Sequence, residues 1–250
     1  MKNELLKNIK KLSIQLRNFT LSSEPIIVEK AEYKFYIDYL QEGMTVFDVG
    51  ANIGELSLLF SKFVGERGQV HAFEASRATF EKLKTIFEAN SRARVILNHR
   101  AVSDKEGIVK LYVYDDTHSG WNSLADRPLS NYGIYDISAI CQEEISSLTI
   151  DRYCKEHAID TIDLLKIDVE GAEYQVLLGC HQMLSEKKIK CCVFEFGQTT
   201  FDMGNNPQQI ERYLKEIGYR LRNIVGSDPI FPGKENVDKA RFSIHVATPR

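Results

Sequence analysis

Val46-Phe47-Asp48-Val49-Gly50-Ala51-Asn52-Ile53-Gly54 is an apolar strand that ends beside an acid and runs into a glycine turn. Glu55-Leu56-Ser57-Leu58-Leu59-Phe60 then starts a helix. About twenty residues on, Val70-His71-Ala72-Phe73 reads as a second strand, and it delivers Glu74 to the same sheet edge. In an open α/β sheet, ligands bind beyond the carboxyl ends of the strands. The opening pattern therefore predicts a nucleotide-type site at that edge.

A glycine turn between strand and helix can serve close packing alone, and a lone glycine motif is weak evidence. Dinucleotide binding also places an acid about twenty residues beyond its glycines. Here the pattern is Asp-x-Gly-x-Asn-x-Gly, and Asn52 stands where a dinucleotide site has its middle glycine. Asp48 at the strand tip repels a pyrophosphate and attracts an ammonium or sulfonium. Glu74 suits ribose hydroxyls, because a carboxylate accepts two hydrogen bonds side by side. The ligand that combines these features is S-adenosylmethionine.

The charge balance, 32 basic against 35 acidic side chains, gives a net −3 and no global field for nucleic acid. Five cysteines (Cys141, Cys154, Cys180, Cys191, Cys192) form no Cys-x-x-Cys pair. Their odd number and the pair in an apolar strand suit reduced thiols in a cytoplasmic protein. No apolar run reaches the roughly 18 residues of a bilayer span, and the N-terminus lacks a secretion signal's apolar core. Leu5, Ile9, Leu12, Leu16 and Phe19 mark an amphipathic helix over 2–19, basic on its other faces. Two readings stay open for it: docking on its own domain or on the same helix of a homodimer partner, and contact with a membrane surface.

The chain divides into an N-terminal helical extension (1–40) and a domain over 41–250 with an insertion near 115–144. Within the extension a second helix is expected over 26–40. Strands are expected near 44–49, 69–74 and 94–98, with helices near 54–64 and 76–90. This alternation marks a mostly parallel sheet. An alternating run at 108–114 reads as antiparallel, with 145–150 as its partner. Then follow a helix at 151–157, a strand at 162–168, a helix at 171–184, a strand at 189–196, a loop at 197–206 and a helix at 207–217. Two closing strands are expected at 219–225 and 242–247. The segment 115–144 is long, polar and aperiodic, and holds the single tryptophan, Trp121. Such segments are commonly functional or disordered.

The order of motifs resembles the FkbM family of adenosylmethionine-dependent methyltransferases, from about residue 40 to 218. The carriers are the 46–54 stretch, Phe73-Glu74, Asn98 through Ala101-Val102-Ser103-Asp104, and Leu165-Lys166-Ile167-Asp168-Val169-Glu170-Gly171-Ala172-Glu173. Family members often have proline after the second-strand acid, where this chain has Ala75-Ser76. The resemblance implies a Rossmann-like sheet of seven strands with helices on both faces, the class I methyltransferase fold. It also implies methyl transfer to oxygen on a sugar, glycan or natural product.

The residues carry roles consistent with that. Gly50 and Gly54 let backbone approach the methionine portion, and Asp48 and Asn52 complement its amino and carboxylate groups. Ala101, Val102 and Ser103 lie where an adenine ring would stack, although 103–107 also reads as an ordinary polar turn. Lys166 and Asp168 share a face two residues apart, and a lysine in an apolar strand is unusual unless paired. Glu195 on the next strand would join them in a charged cluster near the transferable methyl, a buried ion pair being the plainer alternative. Asp168 is the first candidate for the base, Glu195 the second and His118 the third. Glu170 and Glu173 are expected mainly to start the following helix. Acids at 168, 170 and 195 could alternatively hold magnesium through oxygen ligands, a reading left open but not favoured, since no dedicated metal motif is present. Trp121 and Tyr132 offer flat apolar surface, with Asn122 and Ser123 as polar neighbours, for an acceptor under a lid. The competing functions are RNA or protein methylation, a nicotinamide-dependent oxidoreductase, and a silent cofactor-binding scaffold.

Overall fold

Short β-branched and aromatic runs punctuated by glycine build the central sheet. β1 (Thr45–Val49), β2 (Gln69–Glu74) and β3 (Val95–His99) are its first three strands. β1 and β2 are almost wholly buried, as expected where helices cover both faces of a parallel sheet. The computed structural model describes residues 23–90 and 94–250. The amphipathic stretch at 2–19 lies outside them.

α1 (Ser23–Tyr39) leads into β1, α2 (Glu55–Val64) follows the glycine turn, and α3 (Arg77–Ala89) joins β2 to β3. Ser76 caps α3 by accepting from the Thr79 amide at 3.5 Å. A small second sheet follows, of β4 (Ala101–Val102), β5 (Gly107–Val113) and β6 (Cys141–Leu148) in the order β4-β6-β5. The chain returns through α4 (Ile150–Glu156) to β7 (Leu164–Ile167), α5 (Glu173–Leu178), α6 (His181–Ser185) and β8 (Cys192–Phe196). It ends with α7 (Gln198–Asp202), α8 (Pro207–Glu216), β9 (Tyr219–Asn223) and β10 (Ser243–Pro249).

The main sheet has seven strands in the order β3-β2-β1-β7-β8-β10-β9. Its first five strands are parallel, and β10 is antiparallel to both β8 and β9. One face buries Phe47, Phe73, Leu165, Ile167 and Phe194 against residues of α4, α5, α6 and α8. The other buries Val46, Leu164 and Val193 with Tyr36 of α1 and Phe60 of α2. Register puts Asp48 beside Lys166, and Lys166 beside Val193. Partners in adjacent strands share a face, so Asp48, Lys166, Asp168 and Glu195 belong to the face covered by α1 and α2.

Several elements differ from the sequence reading. The helix expected over 171–184 is two helices, broken at Gly179-Cys180. A side chain at 179 would meet the Ser103 carbonyl at 2.1 Å, so the break accommodates the close approach of that backbone. The loop expected at 197–206 contains the single turn α7. β6 begins at Cys141, not 145, because polar residues 141–144 pair with β5 as well. Cys154, Cys180, Cys191 and Cys192 are buried and Cys141 is exposed, all as free thiols. No helix among the described residues is long and apolar enough to cross a membrane.

Candidate active site

The site forms where β1, β2, β7 and β8 end. Gly50 has φ +77°, and a Cβ there would fall 1.7 Å from the Asp168 carbonyl oxygen. A Cβ on Gly54 (φ +87°) would strike Leu83 and Phe87 of α3. Both glycines thus answer to packing: one presses the turn onto the end of β7, the other onto α3.

Glu74 is 8% exposed, and its carboxylate ties the turn to β2. Oε2 accepts from the Asn52 amide at 2.9 Å and Oε1 from the Ser76 amide at 2.8 Å. Each oxygen keeps a second lone pair for a ligand hydroxyl. Burial raises the Glu74 carboxyl to about 7, and the two amides only partly offset this. Asn52 has φ +49°, and its Oδ1 is buried without a hydrogen-bond partner. That orphan acceptor suits a donor such as an ammonium group.

Asp48 is different. It is fully buried; Ser57 Oγ donates to Oδ2 at 2.5 Å, and Lys166 Nζ lies 3.1 Å from Oδ1. The direct contact with a cofactor amino group expected from the sequence is therefore closed off. Lys166 also donates to the Gly50 carbonyl at 2.8 Å and lies 3.5 Å from Asp168 Oδ2. Burial alone would lower its pKa, but Asp48 and Asp168 outweigh it and hold the ammonium above the ordinary lysine range. Lys166 thus clamps the glycine turn, β1 and the end of β7 together.

Beyond the lysine the charge reverses. Asp168, Glu170 and Glu195 each bring a carboxylate oxygen within 4.8 Å of the others. Asp168 is the open member, with a side chain 44% exposed. Burial, then repulsion from Asp168, raises Glu170 to about 8. The same two causes push Glu195, hydrogen-bonded to Asp168, well above the carboxylate range. Glu170 therefore belongs to the acid cluster and is not only a helix-start residue. Glu173 does hold the start of α5: its Oε1 accepts from the Val169 and Gly171 amides, both at 3.1 Å.

The segment 115–144 folds over these elements in two short 3-10 turns, Asp116–Trp121 and Leu129–Tyr132. The Cβ position of Gly120 is 3.7 Å from Asn52 Nδ2, which sets the segment over the glycine turn. Ser123, expected to meet an acceptor, is fully buried; its Oγ donates to the Glu170 carbonyl at 2.7 Å. Asn122 Oδ1 accepts from the Tyr114 amide at 2.9 Å, so both polar residues anchor the segment internally. Trp121 is half-buried, with His118 at 5.0 Å and the Arg127 guanidinium 5.5 Å from its ring centre. His118 Nδ1 is held by both oxygens of Asp115, at 2.9 and 3.0 Å, and the structure does not bring it into the acid cluster.

Ala101, Val102 and Ser103 are each 4% exposed. Ala101 packs into the small sheet and Val102 into the main core, while the Ser103 amide bonds Leu148 and its Oγ bonds Asp104. The stacking surface expected there for adenine is closed in this structure.

Three residues missed in the sequence contribute here. Glu32 of α1 accepts from the Tyr36 hydroxyl at 2.8 Å. Burial raises it to about 7, and its field reaches Asp168 and Lys166. Arg127, 9% exposed at its side chain, lies 3.6 Å from Glu170 Oε2 and 3.4 Å from Asp202 Oδ2. Asp202, 1% exposed, also accepts from the Tyr132 hydroxyl. A signal for Arg127 existed: it is the single lysine or arginine in 115–144, amid six acids.

The strand order, the antiparallel β10 and a carboxylate at the tip of β2 define a class I methyltransferase fold, the fold of S-adenosylmethionine-dependent methyltransferases. Residues 48–221 match the model of the methyltransferase FkbM domain. The chain belongs to the FkbM methyltransferase family. It is 31% identical over 218 residues to 31-O-demethyl-FK506 methyltransferase FkbM of Streptomyces tacrolimicus, covering 78% of this chain and 79% of that protein. It is 23% identical over 188 residues to hexuronic acid methyltransferase AglP of Haloferax volcanii, covering 75% and 68%. Among solved structures, methyltransferase FkbM of Methylobacillus flagellatus superposes with a TM-score of 0.51 at 14% identity. That likeness is one of fold; it covers 85% of this chain, which spans half the length of that protein. Membership of a methyltransferase family sets aside the nicotinamide-dependent alternative.

Proposed function

We propose that the protein transfers the methyl group of S-adenosylmethionine to a hydroxyl of a sugar, glycan or natural-product acceptor. The observation that carries the reading is Asp168, an open carboxylate at the end of β7. Lys166 lies on one side of it, and Glu170 and Glu195 on the other. When bound, S-adenosylmethionine supplies an activated methyl on a cationic sulfur. Glu74 would hold the ribose hydroxyls, and Asn52 Oδ1 the amino group that Asp48 is too buried to reach. β2 and β7 flank β1, so their tips stand about 9.5 Å apart. A nucleoside held at Glu74 would therefore extend toward Asp168. The surplus of carboxylates there suits a cation.

Asp168 accepts the hydroxyl proton as the alcohol attacks, while Lys166 stabilises its charge. Glu195, hydrogen-bonded to Asp168, can share that proton. Alignment supplies much of the rate, and the base makes the alcohol a competent nucleophile. The route uses side chains alone: Lys166 lies 3.5 Å from Asp168, and Arg127 lies 3.6 Å from Glu170. FkbM and AglP, by their names, methylate a natural product and a hexuronic acid, which supports an oxygen acceptor.

Calorimetry with S-adenosylhomocysteine tests the cofactor assignment. Losing charged hydrogen bonds worth about 1.5–3 kcal/mol each should weaken binding at least tenfold in Glu74→Ala. Equal affinity for wild type and variant would sink it. Transfer of a 13C-methyl group to a panel of glycosides and macrolides, read by NMR, tests the oxygen assignment; label arriving on nitrogen or carbon instead would overturn it.

A further inference from the structure

Arg127 makes an unusual arrangement with the acid cluster. Its Nε faces Asp202 Oδ2, yet its Nη1 is buried with no hydrogen-bond partner. That nitrogen lies 3.6 Å from Glu170 Oε2, beyond good hydrogen-bond distance but directed into the carboxylates around Asp168. A buried guanidinium donor without an acceptor is costly. It is also pre-positioned, since Asp202, itself anchored by Tyr132, fixes the guanidinium on its far side.

A donor and several acceptors side by side fit a particular chemistry. A hydroxyl donates one hydrogen bond and accepts others. It can therefore bridge Arg127 Nη1 and a Glu170 or Glu195 oxygen at once. A carboxylate ligand can satisfy the arginine only by adding charge beside Asp168 and Asp202, where burial and repulsion already disfavour the charged forms of Glu170 and Glu195. An ammonium ligand satisfies the acids but leaves Nη1 orphaned. Trp121, held from one side by the same guanidinium, adds a half-buried ring beside the pair. Such a ring suits the C–H face of a saturated ring.

We infer that Arg127 and Glu170 form a diol-binding subsite, which grips a hydroxyl adjacent to the one presented to Asp168 and so selects neutral, vicinally hydroxylated rings over carboxylate-bearing ones. This rests on the methyl-transfer reading and names its acceptor class. Arg127 binds the acceptor and takes no part in proton transfer. The insertion is thereby a specificity element, tethered by Ser123 to the Glu170 carbonyl, so that the donor and the acceptors keep a fixed spacing.

The test is saturation-transfer NMR on the full chain saturated with S-adenosylhomocysteine. The probes are the methyl glycosides of glucose, mannose and galactose, trans-1,2-cyclohexanediol, and the matched glucuronide and galacturonide. At least one neutral glycoside should give a signal, and its uronate partner should bind at least tenfold more weakly. Arg127→Met and Glu170→Leu should each abolish the neutral signal. Glu170→Leu removes the acceptor oxygens at similar size and serves if Arg127→Met melts early. A uronate that binds as well as its neutral partner, a neutral signal unchanged in Glu170→Leu, or no neutral signal at all would each overturn the subsite. Calorimetry with S-adenosylhomocysteine separates the two levels. If it binds while the glycosides fail, the subsite alone is wrong; if it does not bind, the methyl-transfer reading fails with it.

Discussion

Replacing Lys166 by methionine removes the charge that holds the site together while nearly preserving volume. Lys166 is 3% exposed and faces Asp48 at 3.1 Å, the Gly50 carbonyl at 2.8 Å and Asp168 at 3.5 Å. Without it Asp48, fully buried, keeps Ser57 as its hydrogen-bond donor. Breaking a buried pair by deleting one partner costs about 3–5 kcal/mol. An independent route reaches the same figure. The stranded carboxyl can escape by taking a proton, and a free aspartic acid has a pKa of about 3.9, so protonation at pH 7 costs about 4 kcal/mol. For a chain of this size each kcal/mol moves the melting temperature by about 2–4 °C. Lys166→Met should therefore melt roughly 6–20 °C below wild type at pH 7.

The protonation route adds a second signature. At pH 5 the same escape costs only about 1.5 kcal/mol. The gap between wild type and variant should therefore narrow to less than half as pH falls from 7 to 5. The double variant Lys166→Met/Asp48→Asn, which removes both charges, should recover most of the loss. Thermal unfolding followed by circular dichroism at the two pH values reads all three. A loss below about 1 kcal/mol at pH 7, or a gap equal at both pH values, would refute the role of Lys166 as the counter-charge of Asp48.

The contrasting variant is Asp168→Asn: its side chain is 44% exposed, so the fold should hold while turnover falls about a hundredfold, measured by steady-state kinetics beside a melting curve. Gly50→Ala should destabilise by well over the roughly 1–3 kcal/mol of left-handed strain, because its Cβ meets the Asp168 carbonyl at 1.7 Å; a melting temperature within 2 °C of wild type (about 1 kcal/mol or less) would contradict that geometry. Glu74 and Glu170 are raised from 4.5 to about 7 and about 8, so the stability they contribute is full below about pH 4.5 and is lost as pH rises through 7 to 8. The ligand-free protein should accordingly melt higher at pH 5 than at pH 8, and Glu74→Gln should flatten that slope.

Much of the fold was legible because local and global signals agree. The strand at 46–49, its glycine turn and the alternation of elements each point to a parallel sheet. What escaped was set by tertiary contact. The local hint at the break in 171–184 is Gly179 itself, a common helix stop, but its cause is tertiary: the Ser103 carbonyl, more than seventy residues away, lies where a side chain at 179 would be. The start of β6 at Cys141 was hidden because Gln142, Glu143 and Glu144 are polar on both faces; their pairing with β5 rests on backbone bonds and not on a buried stripe. Arg127 and Asp202 lie seventy-five residues apart in regions that read as loop, so their ion pair leaves no periodic trace.

The two strand-tip acids show why sequence found the site but misassigned its parts. Asp48 and Glu74 look alike in the chain: each closes an apolar strand and precedes a turn. Their roles diverge through the residue that each meets on a neighbouring strand. Register sets Asp48 beside Lys166, whose ammonium faces one carboxylate oxygen while Ser57 donates to the other, and full burial beneath them closes both to a ligand. Glu74 stands beside His99, whose Nε2 lies 3.1 Å from the Ala75 carbonyl, so its own partners are backbone amides, one per oxygen. Amides orient a carboxylate without neutralising it or filling its lone pairs. Glu74 therefore remains an acceptor for hydroxyls, and Asp48 becomes the anchor of the lysine that supports Asp168. The apolar context of Lys166 already hinted at a paired charge. The identity of the partner depended on β1 and β7 being neighbours, 118 residues apart at that pair, which only the folded sheet supplies.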